Sequence, residues 1–226
     1  MNISTIILAV LIGIIYPIYI VFTHKKVNDS INNDSKFRLI DYKQTILIFW
    51  SLTLLILCNF FAYKQPDLNF NPKLSLISTG LIILTVGFAY FQYRTSKISP
   101  SDTNAVKEKL KDIYHYLPKT RNELKWFSFL SVSAGFCEEI IFRLFLFEIL
   151  KMNSNLIIAF TVTNLIFAIT HIGSGKNNLI SSFILGLLFS VIYYFTENIW
   201  IAILLHIAID INAGILGYRI NKMTET

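Results

Sequence analysis

Long apolar stretches alternate with polar connections along the whole chain. Seven of them are long enough, at about 1.5 Å per residue, to cross a hydrocarbon core of about 30 Å. They lie near residues 3–22, 45–63, 76–93, 126–150, 156–172, 179–196 and 199–218. No stretch alternates like a barrel strand, and lipid forces a spanning backbone to satisfy its hydrogen bonds within a helix. The pattern predicts an all-α, polytopic membrane helical bundle of about seven transmembrane helices.

The connection between the third and fourth stretches carries a second pattern. Val106, Leu110, Ile113 and Leu117 follow helical spacing, with Lys107, Lys109 and Lys111 between them. We expect a short amphipathic helix, started by Ser101 or Asp102 and stopped before Pro118, along the cytoplasmic headgroups. A basic linker held by anionic lipid is the preferred interpretation, and a gate or substrate platform is the alternative.

Composition agrees with a membrane protein. Only 15% of the residues are charged and 54% are hydrophobic, with a mean hydropathy of +0.56. A soluble domain carries about 25% charge, so a disordered chain, a nucleic-acid-binding module and an ordinary soluble enzyme are excluded. Cys58 and Cys137 both lie in apolar stretches, where we expect small buried side chains and no disulfide framework.

The formal charge of +6 has a location. With seven spans, sixteen Lys and Arg residues fall in connections on one side of the membrane and three on the other. The positive-inside rule then predicts a multi-pass cell-membrane protein with its N-terminus outside and its C-terminus in the cytoplasm. A composition rich in Ile, Asn, Lys and Phe indicates a bacterial source.

Charged residues inside the predicted spans are confined to two of the seven. The fourth span contains Glu138, Glu139, Arg143 and Glu148, and the seventh contains Asp210 beside His206. Such groups are costly in lipid and face the protein interior, so they are functional candidates by default. Glu148, near the outer end of its span, is the exception and is interpreted as an interfacial residue without a role.

Helix geometry sorts these residues. Glu139 and Arg143 are four apart on one face, where they should form an ion pair. Glu138 lies about 100° around the helix and is left without that partner. Small residues line one face of the seventh span and Gly135 lies near Glu138, so close helix approach should gather Glu138, His171, His206 and Asp210 around one cavity.

A carboxylate and an imidazole that converge on one water can act as a general base, and a second imidazole can donate to the developing oxyanion. That combination is suited to amide hydrolysis without a covalent intermediate. Two other interpretations stay open: a polar cluster that only fixes helix packing, and a proton relay in a transporter. The transporter ranks last because no repeat or helix-breaking proline interrupts spans four to seven.

Three motifs in these spans resemble a known family. They are EExxxR, FxxxH and Hxxx(N/D), which here read Glu138-Glu139-Ile140-Ile141-Phe142-Arg143, Phe167-Ala168-Ile169-Thr170-His171 and His206-Ile207-Ala208-Ile209-Asp210. The sequence thus resembles the CAAX prenyl protease and bacteriocin-processing (CPBP, or Abi) family over about residues 126–218.

The resemblance implies an intramembrane endopeptidase that hydrolyses a peptide bond of a peptide or membrane-associated protein. Glu138 would be the general base and His171 its partner on the water. His206 and Asp210 would stabilise the oxyanion, and Glu139 and Arg143 would support the site. Because an ionised carboxylate cannot donate a hydrogen bond, Asp210 must either be protonated or only orient His206.

The predicted spans and the motif region together divide the chain into four parts. Residues 1–98 hold the first three transmembrane helices, 99–125 the cytoplasmic linker, 126–218 the protease-like core and 219–226 a cytoplasmic tail. We expect no cofactor. A zinc site built from the histidines and carboxylates is the lesser alternative, since the HExxH spacing is absent. The expected partners are a substrate and the lipid bilayer, not nucleic acid. A non-catalytic bacteriocin-immunity or membrane scaffold protein is the competing function.

Overall fold

The computed structural model describes residues 1–64, 68–95, 99 and 102–224, and within them the chain is helical with no strand. We number the helices α1 to α8. Helix α5 runs over 121–153 as Arg121–Glu139, a π-helical stretch Ile140–Phe147, and Glu148–Asn153. The others are α1 (Ile3–Asn33), α2 (Lys36–Tyr63), α3 (Leu76–Thr95), α4 (Thr103–Lys109), α6 (Leu156–Thr170), α7 (Lys176–Thr196) and α8 (Ile199–Thr224). This architecture confirms the predicted all-α fold class.

Each of the seven predicted spans coincides with a helix. Within the described residues, α1, α2, α3, α7 and α8 are long and apolar enough to cross a membrane. The two remaining predicted spans are different. Helix α5 contains Glu138, Glu139 and Arg143, and α6 has only 15 residues. The chain is therefore a multi-pass membrane protein. Helix α1 continues to Asn33, well past the predicted end at residue 22, and the chain leaves it in an extended conformation at Asp34.

The linker differs from its prediction. Helix α4 ends at Lys109, before the predicted end near Leu117, and turns follow it. Leu117 is buried beside Gly217, where an added Cβ would lie 2.5 Å from that of Leu117. The apolar stripe thus packs on the bundle, and its contact with lipid headgroups stays a prediction. Residues 100 and 101, placed at the predicted helix start, lie outside the described residues.

Helix α5 is central, with α2 on one side and α8 on the other. Its first turn is closed by a capping box between Thr120 and Glu123. Glu123 also forms a buried ion pair with Arg38 of α2, at 2.7 Å. Against α8 the backbones come close at Gly135, where an added Cβ would lie 3.0 Å from the Ile207 nitrogen. These contacts fix α5 against both neighbours, and the predicted role of Gly135 in close approach is confirmed.

The two cysteines have different environments. Cys137 is buried as expected, whereas Cys58 is exposed on the outer face of α2. The expectation of burial is therefore wrong for Cys58, because an apolar residue on a spanning helix can face lipid as readily as protein.

Candidate active site

A cavity of about 420 Å³ lies between α1, α2, α5, α6, α7 and α8. Glu138, His171, His206 and Asp210 all line it, as predicted from helix geometry. The chain's two other histidines, which the sequence analysis did not assign, line it as well. The cavity is therefore the candidate functional site, and it reaches beyond the three motifs into α1, α2 and the linker.

The cavity has two ends that follow from the chain direction in each helix. What we call the inner end contains the first lining residue of α1, α6 and α8 and the last lining residue of α2, α5 and α7: Tyr16, Phe167, His206, Phe49, Glu138 and Phe189. At the linker end lie Asn28, His115, Gly173 and Asn178. Asn28 joins three elements there, because its amide donates to the Gly173 carbonyl at 2.7 Å and its oxygen lies 3.2 Å from His115 Nε2.

Helix α5 projects Glu138 and Glu139 in different directions. Glu138 faces the cavity, whereas Glu139 is fully buried behind it. One Glu139 oxygen, Oε1, accepts from Arg143 at 3.0 Å and from His206 Nδ1 at 2.8 Å. The predicted Glu139–Arg143 ion pair is thus present. The link from Glu139 to His206 was not predicted, since adjacent spans have no readable register in one sequence.

The Arg143 guanidinium is fully buried and is held from several sides. It donates to the Gly186 carbonyl at 2.9 Å and lies 4.6 Å from the Phe167 ring centroid. An added Cβ at Gly186 would come within 2.8 Å of Asn164 Oδ1. The lack of a side chain at this position therefore leaves room for Arg143 to reach the Gly186 carbonyl. Sequence reasoning missed Gly186 on α7, because a glycine in an apolar helix carries no signal of what it faces.

The other nitrogen of His206 faces two carboxyl groups. Nε2 lies 3.6 Å from Glu138 Oε2 and 3.7 Å from Asp210 Oδ2. Since Nδ1 donates to the Glu139 carboxylate, His206 can donate from Nε2 only when both ring nitrogens carry a proton. The structure thus places the carboxyl groups of Glu138 and Asp210 on either side of the same nitrogen, Nε2 of His206.

His171 is placed differently. It follows the last residue of α6, and its Nδ1 lies 2.9 Å from the Phe167 carbonyl. A carbonyl only accepts, so Nδ1 carries the proton and the neutral ring has its lone pair on Nε2. In the described part of the chain, no carboxylate oxygen lies within 4.0 Å of a His171 ring nitrogen. His171 therefore shares the cavity with Glu138 without touching it.

The π-helical stretch Ile140–Phe147 begins directly after Glu139. A π-helical turn widens the helix and is frequent at functional sites. All eight of its residues are buried. It carries Arg143, so the ion pair predicted from ordinary α-helical spacing forms across a boundary between two helix types.

Three further residues of α5 and α8, Cys137, Asn212 and Glu148, lie outside the cavity lining. Cys137 is fully buried among apolar side chains, which fits packing and not nucleophilic chemistry. Asn212 does not line the cavity, in agreement with its position on another face of α8. Glu148 pairs with Lys151 at 2.6 Å and accepts from the Tyr193 hydroxyl at 3.2 Å.

Metal binding was kept open as an alternative. Among the residues with a described position, no group of three or more His, Cys, Asp or Glu side chains is arranged to hold a metal ion. The structure thus offers no ligand set to which zinc can be assigned.

At the linker end, burial and the nearby Arg38 guanidinium lower the pKa of His115, which favours its neutral ring.

The comparisons with known proteins point to one family. No curated protein and no solved structure is significantly similar to the chain. Residues 120–212 match a family model described as "Rce1-like: Type II CAAX prenyl endopeptidase Rce1-like". The match covers α5, α6 and α7 and the part of α8 that contains His206 and Asp210. The resemblance drawn from the three motifs is confirmed: residues 120–212 are similar to the Rce1-like family of type II CAAX prenyl endopeptidases.

Proposed function

We propose that this protein is an intramembrane endopeptidase that hydrolyses a peptide bond of a peptide or membrane-associated protein with activated water. The family supports CAAX-type endopeptidase activity in general. The observation that carries the proposal for this chain is that Glu138 and Asp210 both lie next to Nε2 of His206 inside the cavity. A carboxylate, two imidazoles and room for a peptide are what such a reaction needs.

In the proposed reaction, Glu138 takes a proton from a water while the water oxygen attacks the peptide carbonyl carbon. The lone pair on His171 Nε2 accepts the second hydrogen of that water and orients it. The tetrahedral intermediate then expels the amine, which receives the proton held by Glu138. The products are a carboxylic acid, which then loses its proton to bulk water, and an amine; no covalent enzyme intermediate forms.

The negative charge on the intermediate requires donors. His206 supplies one from Nε2 when its ring is doubly protonated. Glu139 fixes the orientation of that ring through Nδ1, and Arg143 fixes Glu139. Asp210, whose Oδ2 lies 3.7 Å from Nε2, acts as the partner that favours the doubly protonated ring electrostatically. These assignments make Glu138 and His206 the groups with the largest expected effects.

The proposal is tested on the full chain reconstituted in liposomes with an internally quenched fluorescent peptide library. Glu138→Gln keeps the size of the side chain and should lower kcat by about 10²- to 10⁴-fold. Glu148→Gln, on the same helix but outside the cavity, is the matched control and should cleave at the wild-type rate. Wild-type protein that cleaves no peptide, or Glu138→Gln that retains full cleavage, overturns the proposal.

We further propose the orientation derived from the loop charges, with the linker end of the cavity at the cytoplasmic face. Reporter domains fused after residue 224 and before residue 1 test it. The C-terminal reporter should be active only in the cytoplasm and the N-terminal one only outside. The reverse result would exclude substrate entry from the cytoplasm through the linker end.

A further inference from the structure

The motif residues leave the oxyanion short of donors. His206 Nδ1 is engaged by Glu139, so this ring has only Nε2 to offer. Asp210, where an asparagine would donate, has a carboxylate that accepts when ionised. A tetrahedral oxyanion is stabilised best by more than one fixed donor. A further donor at the inner end of the cavity would complete the site.

The inner end contains one hydroxyl. Of its six residues, Phe49, Phe167 and Phe189 are apolar, Glu138 and His206 are already assigned, and the sixth is Tyr16 of α1. The other lining residues with hydroxyl groups come nearer the linker end within their own segments: Thr23, Thr45, Tyr116, Ser131, Thr170, Ser174 and Ser182. Tyr16 thus supplies the hydroxyl group at the inner end, where Glu138 and His206 also lie.

Packing of α1 fixes the level of Tyr16. A Cβ added at Gly13 would lie 3.7 Å from Leu146 and 3.8 Å from Ile166. Tyr16 comes three residues later, about 4.5 Å along the helix toward the linker end. Its electrostatic interaction with Glu138 is the largest that it has with any charged group.

A second feature marks the same place. Residues Leu11–Ile15, directly before Tyr16, form a π-helical stretch that contacts the π-helical stretch Ile140–Phe147 after Glu139. Two π-helical turns therefore face each other, one before the tyrosine and one after the glutamates. Such turns re-aim the side chains beside them and are common at functional sites. The Tyr16 hydroxyl makes no hydrogen bond to any described residue, so it is available to a ligand.

We propose that Tyr16 is a catalytic residue of this site, whose hydroxyl donates a hydrogen bond to the oxyanion of the tetrahedral intermediate beside His206. The inference rests on the proposed peptidase function. It extends the site beyond residues 120–212 to the first helix, which carries none of the three motifs. No proton is transferred by Tyr16, so the balance of the reaction is unchanged.

Tyr16→Phe removes the hydroxyl and keeps the ring, and it is compared with wild type in the liposome assay. Loss of one oxyanion donor lowers kcat by about 10²- to 10³-fold, with KM changed by less than about threefold. Tyr19→Phe, on the same helix with an exposed side chain, is the matched control and keeps wild-type kinetics. A purely structural role would instead lower the thermal midpoint or raise KM.

Two results separate this inference from the proposed function. If wild type cleaves peptides and Tyr16→Phe has the same kcat, the role of Tyr16 is wrong while the peptidase activity stands. If wild type cleaves nothing, both fail. A peptide aldehyde, whose hydrate resembles the intermediate, provides an independent measurement: Tyr16→Phe should bind it about 10²-fold more weakly, and unchanged binding also overturns the inference.

Discussion

Replacing Arg143 with methionine should destabilise the protein severely, although the side chains are similar in length. Both partners of the Glu139–Arg143 pair are fully buried. Removing the cation leaves the Glu139 carboxylate with His206 alone, and breaking a buried pair in this way costs about 3–5 kcal/mol. The Gly186 carbonyl also loses its donor. The free energy of unfolding in detergent micelles, followed by tryptophan fluorescence, measures the loss.

The double variant Arg143→Met, Glu139→Gln tests the cause. It removes both charges, and the glutamine amide can still accept from His206. It should be more stable than Arg143→Met by about 2 kcal/mol, because the uncompensated buried charge is gone. The matched control is Lys151→Met in the same helix, whose pair with Glu148 is partly exposed. That variant should change stability by less than about 1 kcal/mol.

Two results would refute this reasoning. Arg143→Met that unfolds like Lys151→Met would show that the buried pair does not hold Glu139 in place. A double variant less stable than the single one would show that lost packing, and not lost charge, explains the effect.

Two further predictions concern packing and pH. Gly186→Ala should lower the free energy of unfolding by about 1–3 kcal/mol, because the new methyl group meets Asn164 and Phe167. Gly80 in α3 has open space around it, so Gly80→Ala should raise the free energy of unfolding by about 0.5–1 kcal/mol. Thermal midpoints that move together would contradict this. The pKa of His115 is lowered in the folded protein, so the unfolded chain takes up a proton first as the pH falls. Stability should therefore decrease from about pH 6.5 down to the folded-state pKa. The decrease should be smaller in His115→Gln. Denaturation curves at several pH values that coincide for both proteins would exclude that contribution.

Patterns within one helix were readable from the sequence. Apolar length predicted the helices, and spacing predicted the Glu139–Arg143 pair and the cavity-facing position of Glu138. Both depend only on backbone geometry. The motif resemblance identified the family because its residues stand at fixed intervals. The close approach at Gly135 followed from the lack of a side chain.

Contacts between helices were not readable in the same way. The bond from Glu139 to His206, the contact of Arg143 with the Gly186 carbonyl and the level of Tyr16 all depend on how neighbouring helices slide against each other. No local pattern encodes that register. The linker was mispredicted for a related reason. Its apolar stripe is compatible both with a helix on lipid headgroups and with a segment of turns packed against the protein. Leu117 packs under Gly217 and decides between them.

The shared oxygen of Glu139 has a consequence for which parts of this protein can change. It ties α5 to α8, and Gly135 holds the two backbones close, so these helices cannot shift without breaking the hydrogen bond to His206. On the opposite side of the cavity, α1 and α2 contribute the apolar side chains of Ile20, Val27 and Ile48, which form no side-chain hydrogen bond. Substitutions at these three positions can therefore reshape the cavity, in the laboratory or during evolution, while the contact between α5 and α8 stays unchanged.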